Sequence, residues 1–559
     1  MRRAFPGIVA SKGLALGRAR VREPHGLDVE EQRIAPDRVE QECRLLHEAL
    51  EAARAELREL RARIHGAIAH EVGEFLDLHA MLLDDPELVD GLDDLIRTGH
   101  YSAAYALRLQ RDRLASVFDD LDDPYLRSRR EDIDHVIGRV YAALHSGTQP
   151  ELAGLAGEIL VSESIAPAEL AQLHEEGVIA VVTAQGSPLS HSAILARSLH
   201  LPLVVGSHDA LLHVNDGDAL LVDAIEGRII VEPDADDLAR FRAAKDEVRR
   251  EQRALTRLRK AKTRTADGVE VRLWANAESR EDVSQALGLG AAGVGLYRTE
   301  FLFLQRREVP GEEEQFHAYR DLVLGMDGRP VTIRTLDLGA DKADSTGLAL
   351  EHETNPALGL RGVRLCLARP ELFRVQIRAI LRASAYGPVR ILIPMVSRAG
   401  ELRDCRRILE RCHRELRDEG HALGPPPPLG AMIEVPAAAL ALDRLLPEAD
   451  FCSVGTNDLI QYLLAADRGH DTLASLCDPE HPAVVRVLTE ISATCRKAGK
   501  PVAVCGELAG DPRYTEFLLR LGLTDLSMHP ASLLEVRQAV RACTLGGRED
   551  EDHEESPGP

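Results

Sequence analysis

The chain has 559 residues, 45% of them hydrophobic, enough for several cored domains; its 68 basic and 91 acidic residues give a formal charge of −23, which excludes non-specific nucleic-acid binding and suits basic partners. Its nine cysteines are odd in number and include no C-x-x-C pair, which speaks for a reducing compartment and against a disulfide framework or zinc site. No apolar run approaches the roughly 18 residues of a membrane span, and Lys12 interrupts the first apolar stretch, so the expectation is a cytoplasmic protein without a leader.

The opening segment, "GIVASKGLALGRARV", reads as strand. Residues 37 to 64 then carry a stripe of Val39, Cys43, Leu46, Leu50, Ala53, Leu57, Leu60 and Ile64. Its alternating spacings of four and three are those of a helix packed on another helix. Helical patterns continue to about residue 145, with breaks at "LLDDPEL" and "LDDPY".

From residue 150 to 232, short apolar segments ("GEILVS", "GVIAVVT", "LPLVVG", "DALLVDAI", "GRIIVEP") alternate with Gly and Asp turns. That is a compact α/β pattern. The opening strands are expected to join it, which makes the helical unit an insertion. Within it, "GSPLSHSAILARSLHLPLVVG" places His191 at the start of a helix, directly after a turn. The free N–H groups and dipole of a helix start favour an anion and disfavour imidazolium. A neutral histidine at an anion site suits a phosphoryl acceptor. Residues 234 to 262 form one long charged helix with a sparse apolar stripe, as a connector between domains requires.

From residue 269, eight strand-like segments recur between helical patterns: "VEVRLWANAE", "AAGVGLYRTE", "PVTIRTLDLG", "VRILIPMVS", "LGAMIEVPA", "ADFCSVGTND", "PVAVCGELAG" and "LTDLSMHP". Eight βα units predict a (β/α)8 barrel, whose active site is built at the C-terminal strand ends. Asn276, Arg298, Arg334, Glu434, Asn457, Asp458 and Cys505 stand at or just past those ends. Glu434 and Asp458, beside Asn457, suit a hard divalent cation, Mg²⁺. Arg298, Arg334, Arg361 and Arg468, with Lys342, suit a small substrate bearing phosphate and carboxylate. Cys505 stands where a thiol can give a proton to that substrate. The last stretch, residues 546 to 559, is acidic and lacks an apolar anchor, which predicts disorder.

These motifs together ("GSPLSHSAILARSLHLPLVVG", "GVGLYRTEFLF", "TIRTLDLGADK", "MIEVPAAA", "SVGTNDLIQYLLAADRG", "VCGELAG") resemble the Enzyme I family, the phosphoenolpyruvate–protein phosphotransferases of the bacterial phosphotransferase system. The resemblance runs in order from residue 7 to about 543. It implies a multidomain α/β architecture: a phosphohistidine swivelling domain (1–26 and 146–232), a helical subdomain that docks a histidine-containing phosphocarrier protein (27–145), a linker helix (233–262), and a phosphoenolpyruvate-binding (β/α)8 barrel that also carries a homodimer interface (263–545). It implies that His191 is phosphorylated, that Arg298, Arg334, Asn457, Asp458 and Arg468 contact phosphoenolpyruvate, that Glu434 and Asp458 bind Mg²⁺, and that Cys505 donates the proton. Family members usually read Gly-Gly-x-Thr-Ser-His before the active helix; here Ser187 and Leu189 replace the second glycine and the threonine, and upstream Ser164 and Ala166 replace Asp and Thr. These changes bear on rate and partner choice. Pyruvate phosphate dikinase and phosphoenolpyruvate synthase share the phosphohistidine and barrel parts but add a large ATP-binding domain, and this chain has no Gly-rich phosphate loop. A non-catalytic sensor of phosphoenolpyruvate is the other alternative, against which the intact His191, Glu434, Asp458 and Cys505 argue.

Overall fold

A computed structural model describes all residues except 1, 23–28, 30, 64–68, 120–123, 145–153, 189, 304–307, 340–347, 349–352, 469–472, 474–475 and 547–559. Lys342, Leu189 and the acidic tail beyond Gly546 therefore lie outside the described residues. The chain divides into two compact units, residues 1–250 and 251–559. Among the described residues, no helix is long and apolar enough to cross a membrane.

The first unit opens with β1 (Arg3–Pro6), β2 (Ile8–Ser11) and β3 (Leu14–Val21). Five helices follow: α1 (Val39–Arg63), α2 (Ala69–Asp84), α3 (Pro86–Arg97), α4 (Ala103–Asp119) and α5 (Pro124–Leu144). Then come β4 (Glu158–Ser162), α6 (Pro167–Glu175), β5 (Ala180–Thr183), α7 (His191–Ser198), β6 (Leu203–Val205), α8 (His208–His213), β7 (Ala219–Asp223), β8 (Arg228–Val231) and the long α9 (Ala235–Arg257). The eight strands form one sheet in the order β1-β8-β7-β3-β4-β5-β6-β2, so the opening segment shares a sheet with strands some 140 residues later. The run β3-β4-β5-β6 is parallel. β5 and β6 are buried at every residue, which is why they read as unbroken apolar runs instead of alternating ones.

The stripe of α1 is buried from Val39 to Leu60. The break at "LLDDPEL" is a helix start: the Asp85 carboxylate accepts the Glu87 N–H at 2.8 Å, and Pro86 takes the first helical position, where no N–H is needed. Among the described residues, the helices share their core with the sheet. Leu46, Leu83 and Ile137 belong to one buried cluster with Leu160, Val181 and Leu195 of the sheet and α7.

The second unit is a closed barrel of eight parallel strands: β9 (Arg272–Ala277), β10 (Val294–Tyr297), β11 (Val331–Arg334), β12 (Val389–Ile393), β13 (Leu429–Ile433), β14 (Phe451–Val454), β15 (Val502–Val504) and β16 (Asp525–Met528). Helices separate the strands along the chain, as the parallel pairing demands. Each predicted strand segment contains one barrel strand, and the polar residues that follow them gather at one end.

Candidate active site

At the C-terminal strand ends, three carboxylates converge. Ligand oxygens of Asp337, Glu434 and Asp458 all lie within 4.8 Å of one another. Glu434 follows β13 directly and is 2% exposed; it accepts the Met395 N–H at 2.5 Å. Asp458 lies in the first turn of the helix Thr456–Leu464, after β14. Burial, then the charges of Asp337 and Asp458, push the Glu434 carboxyl up to about 8. Such crowding is what a divalent cation relieves, and the all-oxygen donor set fits Mg²⁺.

Two arginines are built into this cluster. Arg334, the last residue of β11, meets Asp337 at 3.0 Å and Glu300 at 3.2 Å. Arg361 grips both oxygens of Asp337, at 3.1 and 3.0 Å, and reaches Asp458 at 3.2 Å. Burial opposes the charge on both guanidiniums, but the carboxylates outweigh it and hold both above their ordinary values. Gly362, next to Arg361, has φ +57°, and a Cβ there would come within 2.8 Å of Met395. Only glycine lets the backbone follow this path.

Other expected residues line the same end. Arg468 pairs with Glu507 at 3.1 Å and stands 4.0 Å from Asp458. Asn457 donates to Glu507 at 2.9 Å and accepts the Glu507 N–H at 2.9 Å. Gly506 allows that approach, since a Cβ there would sit 1.9 Å from Thr456 Oγ1. Arg298 bonds to Glu278 at 2.6 Å and touches none of the three carboxylates. Asn276 turns to the barrel wall, donating to the Cys505 carbonyl at 3.0 Å and accepting from Ser527 at 2.6 Å. Cys505 is 3% exposed, and its thiol donates to the Val454 carbonyl at 3.5 Å. Burial pushes that thiol up to about 11, so it keeps its proton at neutral pH.

Sequence reasoning missed Asp337, Glu300 and Glu507. The signal was present for two of them: each arginine motif carries its own acid, as in "YRTEF" and "IRTLD".

His191 stands in the first unit, at the first residue of α7. Ser190 caps the helix, accepting the Ala193 N–H at 3.3 Å, and Ser192 donates to the Ile165 carbonyl at 2.6 Å. Arg197 donates to the Pro188 and Ala10 carbonyls at 3.0 and 2.9 Å, which ties the helix to the turn before it. That turn needs Gly186, whose φ is +115°. Ala166 is the N-cap of α6 and supplies no capping side chain.

Three family models match the chain. Residues 252–545 match the family model described as PEP-utilising enzyme, PEP-binding domain. Residues 6–129 match PEP-utilising enzyme, N-terminal, and residues 154–227 match PEP-utilising enzyme, mobile domain. A phosphoenolpyruvate-protein phosphotransferase of Cupriavidus necator is 44% identical over 549 residues, covering 96% of this chain and 94% of the relative. Relatives of the same name from Staphylococcus epidermidis and Listeria innocua are each 38% identical over 542 residues, covering 97% of this chain and 94% of theirs.

Proposed function

The chain belongs to the PEP-utilising enzyme family, among its phosphoenolpyruvate–protein phosphotransferases, and from that membership we propose that it moves the phosphoryl group of phosphoenolpyruvate to His191 and then to a histidine of a small phosphocarrier protein. In this reading residues 1–26 and 146–232 form the phosphohistidine domain, the helices within 27–145 dock the carrier, and residues 263–545 bind phosphoenolpyruvate and pair two chains as a homodimer. The unit bearing His191 must move between substrate and carrier, as conformational steps do in many transferases.

The observation that carries the reading is the pair of arginines, Arg334 and Arg361, with side chains 12% and 18% exposed, held among Asp337, Glu434 and Asp458 at the barrel's C-terminal strand ends. Arg298, Arg334 and Arg468, with the amide N–H of Asn457, grip the phosphate and carboxylate of the substrate, because guanidinium forks bind both groups in bidentate fashion; Asp458 would reach the substrate through the cation it holds. Glu434 and Asp458 would hold Mg²⁺, which when bound supplies positive charge against the developing enolate. A neutral His191 ring nitrogen attacks phosphorus. The N–P bond forms, the bond to the enol oxygen breaks, and its electron pair stays on the enolate. The Cys505 thiol then protonates the enolate at its methylene carbon to give pyruvate. The resulting thiolate regains its proton from solvent.

Mixing the protein with phosphoenolpyruvate and Mg²⁺ tests this. The expected result is a burst of one pyruvate per chain, then no turnover until a histidine-bearing phosphocarrier is added. Sustained phosphate release without a carrier, or no pyruvate at all, contradicts the reading.

A further inference from the structure

The two strand ends that bear Arg298 and Arg334 are tied together from outside the barrel. Gln376 belongs to the helix Pro370–Ala383 and is 1% exposed. Its Oε1 accepts the Leu336 N–H at 2.9 Å. Its Nε2 donates to Thr299 Oγ1 and to the Tyr319 hydroxyl, both at 3.1 Å. Thr299 Oγ1 in turn donates to the Arg334 carbonyl at 3.0 Å. The Tyr319 hydroxyl donates to Gln315 Oε1 at 3.1 Å, and Gln315 Nε2 donates to the Pro310 carbonyl at 2.8 Å. Thr299, Gln315 and Tyr319 are wholly buried.

The direction of this chain is fixed. Both amide protons of Gln376 are used, and each hydroxyl accepts one bond and donates one. Burial pushes the Tyr319 phenol well up, so it keeps the proton it donates. The need for the chain lies in the backbone. The Thr335 N–H still reaches Leu392 on β12, at 3.0 Å. Past that point the ladder ends, and the buried Leu336 N–H requires a side-chain acceptor. Gln376 supplies it. Thr299 follows Arg298 directly, and Leu336 lies between Arg334 and Asp337, so one amide holds the side chain next to Arg298 and the backbone next to Arg334.

We infer that Gln376, acting through Thr299, is a positioning residue for phosphoryl transfer: it sets the separation of Arg298 and Arg334 and hence their grip on the substrate. The inference rests on the proposed reading that these arginines bind phosphoenolpyruvate. A fully satisfied buried network rigidifies what it joins, and removing one member leaves its partners unsatisfied. Misplacing a substrate-positioning group by about 1 Å costs on the order of 10²-fold.

The test uses the full-length chain with Gln376→Met, Thr299→Val and Thr299→Ser, and Arg334→Met as the reference. Gln376→Met and Thr299→Val should lower kcat/KM for phosphoenolpyruvate by about 10–100-fold, with KM raised. Thr299→Ser keeps the hydroxyl and should return KM to within about 3-fold of the parent. A merely structural role would lower kcat with the folded fraction and leave KM unchanged, and that result overturns the inference, as does a serine variant no better than valine. If Arg334→Met loses phosphoenolpyruvate while Gln376→Met and Thr299→Val keep the parental KM, the positioning role alone falls. If Arg334→Met itself keeps the parental KM, the assignment of the arginines falls with it.

Discussion

Asp337→Asn removes one negative charge and leaves the side-chain volume almost unchanged. The Asp337 side chain is 1% exposed. It takes three close contacts from two guanidiniums, one from Arg334 at 3.0 Å and two from Arg361 at 3.1 and 3.0 Å. Taking one partner from a buried ion pair costs about 3–5 kcal/mol when the other charge is left alone. Here Glu300 still faces Arg334 and Asp458 still faces Arg361, each at 3.2 Å. Neither guanidinium is stranded, so the cost falls to about 2–3 kcal/mol. In a unit of this size that lowers Tm by about 5 °C. The kinetic effect should be larger. Without Asp337, Arg361 swings toward Asp458 and Arg334 toward Glu300, and a displacement of about 1 Å costs roughly 10²-fold in kcat/KM for phosphoenolpyruvate. Steady-state pyruvate formation and calorimetry on the same preparation measure both. A variant with parental Tm and kcat/KM would refute the view that Asp337 holds the arginine pair.

Glu434→Gln and Asp458→Asn should each cut Mg²⁺-dependent activity by at least ~10²-fold; activity that responds to Mg²⁺ as in the parent in both variants would exclude the carboxylate cluster as the metal site. Cys505 is raised to about 11, so its proton is present below that pH and lost above it: the alkaline limb of kcat that depends on Cys505 should lie above about pH 10 and vanish in Cys505→Ala. A limb near pH 8 that vanishes in the variant would contradict this. In the helical unit, Met81 is 70% exposed beside the acidic start of α3, so Met81→Glu should slow transfer to a basic carrier at least ~10-fold while sparing uptake from phosphoenolpyruvate; unchanged transfer would move the docking surface elsewhere. Substitution is the cleaner test there than deletion, because Leu46 and Leu83 share a core with Leu160 and Val181 of the sheet.

The barrel was legible because its strands are buried on both faces and separated by helices, so apolar runs and polar strand ends recur in order. The strand–turn–helix setting of His191 was legible for the same reason: β5 is buried at all four residues and Ser190 caps the helix that follows. What stayed hidden was pairing across the chain. Nothing local to "IRTLD" says that its aspartate turns back onto Arg334 and also onto Arg361, and nothing near residue 376 says that its amide reaches Thr299. Arg298 and Arg334 look alike in sequence, yet one pairs with Glu278 and the other with Asp337 and Glu300. The strand Arg3–Pro6 escaped notice because it is an edge with no buried residue, and it pairs with β8, more than 220 residues away.

In the proposed reaction phosphorus passes from phosphoenolpyruvate to His191. Incubation with labelled phosphoenolpyruvate and Mg²⁺, followed by peptide mapping under alkaline conditions that preserve phosphohistidine, tests it directly. The expected result is one acid-labile phosphoryl group per chain, on the peptide containing His191, and none in His191→Ala although that variant still binds phosphoenolpyruvate. Label on another residue, or equal uptake by His191→Ala, would contradict it.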